Sequence, residues 1–137
     1  MTTYQSKTTT INRPQTEVYT KISDLKNLEQ FREKLPEEYS DDFRCDTDYL
    51  KFKIPQIGNA TLRVVEREAN RVKLSIEDIP FKADIAIVIN EKATSQTDMM
   101  LQLDADIPFF LKHIVSNKLN EGIDKIADML AQSLNSL

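Results

Sequence analysis

The chain is 137 residues long, 40% hydrophobic and 29% charged, with a formal net charge of −4. That length buries about two-thirds of its unfolded surface, enough for a single domain, 1–137, without a disulfide or metal to staple it. Interspersed charges at a net negative balance argue against a nucleic-acid partner, and with no apolar run near the roughly 20 residues of a membrane span and no hydrophobic signal core in residues 1–10, a cytoplasmic protein is expected.

Residues 3–11 are threonine-rich and alternate, which predicts a strand that Asn12-Arg13-Pro14 stops. Asn12 is placed to cap the following helix, with Pro14 in its first turn and Val18, Tyr19, Ile22 and Leu25 on one face. A break at Ser23-Asp24 restarts a second short helix bearing Leu25, Leu28, Phe31, Arg32 and Leu35, which Pro36 ends before an acidic loop over 37–42. From Phe43 the apolar period becomes two. Leu50, Phe52 and Ile54 alternate first, and a turn over 55–59, helped by Gly58, leads to Ala60, Leu62 and Val64. A tight turn over 68–70 precedes Val72, Leu74 and Ile76. Beyond Ile79-Pro80 come Ile85, Ile87 and Ile89, then a polar turn over 91–97, then Met99, Leu101, Leu103 and Ala105. After Pro108, Leu111, Val115, Leu119, Ile123, Ile126, Leu130 and Leu134 recur at steps of three and four. Those steps predict an amphipathic helix of about seven turns, roughly 40 Å long.

Five consecutive strands, each with one apolar and one polar face, argue an antiparallel meander covering a core on one side. The order lacks the βα alternation of a parallel sheet, so the fold class is α+β. A twisted sheet of about six strands curls, and the long terminal helix belongs in its concave side.

The order of elements resembles the helix-grip fold of the START-like (SRPBCC) superfamily, which includes Bet v 1-like and polyketide cyclase-like proteins. The residues carrying the resemblance are Ile11-Asn12-Arg13-Pro14, then Glu17-Val18-Tyr19 with Ile22-Ser23-Asp24-Leu25, and the terminal helix with Leu111, Leu119, Ile123 and Leu130. The resemblance covers essentially the whole chain. It implies a cavity between sheet and helix, which relatives use for lipids, sterols, polyketides or plant hormones; the fold alone does not define the activity.

The alternation names what would line such a cavity. Leu50, Phe52, Leu62, Val64, Leu74, Ile76, Ile85, Ile87, Leu101 and Leu103 come from the sheet. Leu111, Val115, Leu119 and Ile123 face them from the helix, with Phe110, Ile114 and Gly122 as further candidates. A hydrocarbon lining favours an apolar guest and offers almost nothing to polarise it. Binding of a small hydrophobic ligand, lipid or polyketide-like, without catalysis is therefore the leading reading. A polyketide cyclase- or dehydratase-like enzyme is the alternative, and it needs an ionisable residue inside, where the alternation places none. A third reading is a protein-interaction module with a filled core.

Residues that could carry other chemistry have plainer accounts. His113 is the single histidine and falls away from the apolar face of the helix. One histidine and one cysteine, Cys45, leave no zinc-like spacing, and the carboxylates lack a calcium-loop pattern, so no metal or cofactor is expected. Cys45 has acidic neighbours, which disfavour a thiolate. Asp104 and Asp106 share a strand face, but it is the solvent face. Ser6, Thr8 and Thr10 share a face of the first strand and could supply hydroxyls to a cavity or polarity to an edge. Arg63, Arg67, Arg71 and Lys73 group around a hairpin with Glu66, Glu68 and Glu77, as cross-strand ion pairs would. Only two glycines occur, too few for a phosphate-cradling loop. One of them, Gly122, sits mid-helix at a cost of about 1 kcal/mol, so close approach of a strand or ligand is its expected reason. Phe109 and Phe110 at the helix start could gate a pocket or form a homodimer contact.

Overall fold

A computed structural model describes residues 1–34, 43–54 and 58–136. Two strands, β1 (Thr2–Gln5) and β2 (Thr9–Ile11), lead into α1 (Gln15–Ser23) and a 3₁₀ helix (Leu25–Lys34). Six strands follow: β3 (Arg44–Cys45), β4 (Tyr49–Ile54), β5 (Gly58–Glu68), β6 (Arg71–Glu77), β7 (Lys82–Ala93) and β8 (Gln96–Asp106). The long helix α2 (Phe109–Asn135) closes the described chain. The strands form one antiparallel sheet in the order β1-β8-β7-β6-β5-β4-β3, with β2 also on β8. The α+β helix-grip architecture is thus the one expected, with eight strands in place of about six.

The extra strands have local causes. The predicted first strand is broken in two at Ser6. Its amide donates to the Leu101 carbonyl, while its Oγ accepts from the Leu101 amide at 2.9 Å and donates to the Lys7 carbonyl. Gln5 pairs with Gln102 but Thr9 pairs with Met99, so one extra residue bulges out between them. Such a bulge turns every later side chain over. Tyr4 and Ser6 therefore point inward before it, whereas Ile11 is the buried residue after it and Thr10 bonds Asp98 outside. Ser6, Thr8 and Thr10 accordingly do not share a face. β3 adds a two-residue edge, pairing Arg44 with Lys51 and Cys45 with Leu50.

Other boundaries also move. Asn12 does not cap α1: Pro14 occupies that position without a side-chain cap bond, while the Asn12 amide donates to Asn135 Oδ1 at 2.6 Å. The second short helix is 3₁₀, with Asp24 Oδ1 accepting from the Lys26 amide at its start. β7 and β8 run on to a two-residue turn, well inside the loop expected over 91–97. Gly58 does take a left-handed backbone, φ 116°, where β5 begins, as a turn there requires. The expected helix stop at Pro36, the acidic loop over 37–42 and most of the turn over 55–59 lie outside the described residues.

Burial is graded along the sheet. Ile89, Met99, Leu101 and Val72 are at most 1% exposed, packed with Val18, Ile22, Ala127 and Leu134 from the helices. Toward the opposite end the inward residues Phe52, Leu62, Val64, Ile76 and Ile85 are only half-buried. One end of the grip is closed and dry. The other is loose.

Candidate functional site

The loose end is where the candidate site lies, and the way α2 is held explains it. Polar ties run from one flank of the helix to β1, β2, the segment joining them and the residues just beyond β2. Tyr4 Oη and Ser116 Oγ are 2.9 Å apart, the Lys7 amide donates to Asp124 at 2.9 Å, and Lys7 Nζ meets Asp128 at 2.8 Å. Asn135 accepts from the Asn12 amide and donates to the Thr10 carbonyl. At 100° per residue, Asp124, Asp128 and Asn135 lie about 100–180° around the helix from Leu111, Val115, Gly122 and Ile126, and Ser116 about 80–140° from them.

Burial on the flank of Leu111 and Ile126 is incomplete. Leu111 and Leu119 are half-buried and Ile126 is 39% exposed, although all three are large and apolar. No atom outside the helix's own backbone and Gly122's chain neighbours lies within 4 Å of a Cβ built on Gly122. Close approach of a strand is therefore not what this glycine accommodates. On the sheet, cross-strand pairing sets Leu62 beside Ile76 and Leu74 beside Ile85. Half-buried apolar side chains thus remain on both elements, where the expected cavity between helix and sheet would lie.

The seventeen residues expected to line it fall into three groups. Phe52, Leu62, Val64, Ile76, Ile85, Leu111, Leu119 and Gly122 are half-buried. Leu50, Leu74, Ile87, Leu101, Leu103, Val115 and Ile123 are buried in the core beneath and beside it. Phe110 and Ile114 are 74% and 60% exposed, on the side of α2 turned away from Val115 and Ile123, so they do not line it. Three contributors were missed. Ile79 and Phe81, in the β6–β7 connection, pack half-buried against the core, and Tyr4 brings a hydroxyl bonded to α2 from the sheet. The alternation of β1 could have signalled Tyr4; a two-residue apolar pair around Pro80 gives no periodic signal.

The candidate acid–base groups His113, Asp104 and Asp106 sit on the outside. His113 is exposed, its ring edge-on to Phe109 at 5.4 Å between centroids. Asp104 accepts from Thr3 Oγ1 on the outer face, and Asp106 is exposed. Two of the hairpin's basic residues form the expected cross-strand pairs, Arg63 with Glu77 and Arg71 with Glu66. Arg67 does not, because a bulge between Val64 and Glu66 swings it to the inner face. There it donates to the Ser23 and Thr47 carbonyls and to Asp48. A polar cavity of about 400 Å³ opens over β3–β5, lined by Arg44, Lys51, Phe52, Asn59, Ala60, Thr61 and Asp78. Asp78 caps it with a left-handed backbone, φ 67°, and accepts from the buried Thr61 hydroxyl. Among the described residues no three His, Cys, Asp or Glu side chains gather as a metal site, and no helix is long and apolar enough to cross a membrane.

Solved structures share this architecture over nearly the whole chain. A START superfamily protein from Mycobacterium smegmatis superposes with a TM-score of 0.70 at 16% identity, covering 98% of this chain and 97% of its own. A Thermobifida fusca protein does so at 0.70 and 15%, covering 100% and 95%. Norcoclaurine synthase from Thalictrum flavum, solved in complex with dopamine and hydroxybenzaldehyde, reaches 0.76 at 9% identity, covering 97% and 86%. No family model and no curated protein matches the sequence. At these identities the likeness is one of fold. The chain has the START-like helix-grip fold.

Proposed function

We propose that the chain binds a small hydrophobic ligand, lipid or polyketide-like, in the apolar cleft between α2 and β4–β7. One observation supports this reading: large aliphatic side chains on both elements, Leu62 and Ile76 on the sheet and Leu111 and Leu119 on the helix, are only half-buried. A filled core would bury them, since each fully buried Leu or Ile contributes about 1.5–3 kcal/mol. An apolar guest would recover that burial. Norcoclaurine synthase, which shares the fold, holds two small aromatic molecules.

Native mass spectrometry of protein purified without detergent, with solvent extraction of the same sample, tests the proposal. A stoichiometric apolar species, or stoichiometric uptake of an added fatty acid, is expected. A chain that carries none and takes up none would favour the interaction module with a filled core.

A further inference from the structure

The exposed tip of α2 has no part in the cleft. Phe109, Phe110 and Ile114 are 78%, 74% and 60% exposed, and the β1–β8 register sets Met1, 69% exposed, beside the same end. Together the two phenylalanines and the isoleucine offer about 400 Å², taking roughly 200 Å² for each phenylalanine. A stable dimer buries about 800 Å² on each partner, so a second copy of the chain gains too little from this patch. Its charge points to another occupant. Lys112 and Lys118 are exposed and no acidic residue sits in the first turn of α2. Exposed Asp106, before Pro108, pairs in register with Lys82, and Glu121 follows one turn beyond Lys118. The whole chain is at −4, so positive charge at this tip is a local feature. Two aromatic side chains on a cationic helix end suit the interface of an anionic bilayer, where the rings enter the headgroup boundary and lysines meet acidic lipids.

We infer that the N-terminal end of α2 docks on anionic membrane surfaces through Phe109, Phe110 and Ile114. This holds whether or not the cleft carries a ligand. Flotation with phosphatidylcholine vesicles, with and without about 30% phosphatidylserine, tests it. Protein should float with the anionic vesicles, at least several-fold less at about 0.5 M salt, and roughly tenfold less after Phe109→Ser with Phe110→Ser. Lys112→Glu with Lys118→Glu should reduce flotation on anionic vesicles only. All four positions are exposed, so an unchanged melting temperature checks that the variants fold. Absence of flotation, or flotation indifferent to the phenylalanine changes, overturns the inference. A dimer in sedimentation velocity that the phenylalanine changes dissolve also overturns it, in favour of a second copy as occupant.

Discussion

The hydroxyls of Tyr4 and Ser116 lie 2.9 Å apart, joining the inner face of β1 to the first half of α2. This bond ties the helix to the sheet nearest the loose end of the grip. Tyr4→Phe and Ser116→Ala should each lower unfolding free energy by about 1 kcal/mol, and the double variant should lose little more than either single one. Urea denaturation of the four proteins checks this; additive losses would mean the hydroxyls act separately.

Gly122 is a helical glycine with room for a Cβ. Gly122→Ala should therefore stabilise the protein by about 1 kcal/mol. Ser133, 1% exposed, buries an Oγ with no hydrogen-bond partner, so Ser133→Ala should be neutral or stabilising by up to about 1 kcal/mol. Shifts in the urea midpoint read both; a loss at Gly122→Ala would mean that something approaches the helix there.

The hairpin arginines should separate sharply. Arg67→Met removes donors from the Ser23 and Thr47 carbonyls and from Asp48, which ties α1 to the sheet. About 1–2 kcal/mol should be lost. Arg63→Met breaks an exposed pair with Glu77 and should cost under about 1 kcal/mol. Thermal unfolding of the two variants side by side checks the contrast.

A hydrogen bond to Asp128, aided by the Asp128 and Asp124 charges, holds the Lys7 ammonium above the ordinary lysine value of 10.5. A raised folded-state pKa means the contribution is fully present at neutral pH and disappears as pH climbs above that value. The stability gap between the parent and Lys7→Met should therefore be flat from pH 6 to 9 and narrow only in strongly alkaline solution, as equilibrium unfolding across that range would record. A gap that closes near neutrality would contradict the assignment.

Much of this fold is legible in the sequence because burial repeats at the period of its element: Leu101 and Leu103 at two, Ile123, Ala127 and Leu130 at three and four. What was not legible turns on single residues. A one-residue bulge at Ser6, and another before Arg67, reverses which side chains face inward while leaving local composition unchanged. Phe110 and Ile114 resemble a continuation of the apolar stripe, yet they point off it at the helix tip. Leu62 and Leu74 are the same residue type at the same parity, one half-buried and one 2% exposed. Only distance from the closed end distinguishes them, and no local pattern encodes that. The candidate site is defined by this gradient.

The most direct measurement is therefore titration of a fluorescent fatty acid, below its micellar concentration, into the parent and into Leu119→Trp, which fills the cleft from the helix side. The parent should show one saturable site, and Leu119→Trp should lose it without loss of thermal stability. No saturable site in the parent, or equal affinity in the filled variant, would contradict a ligand cleft beneath α2.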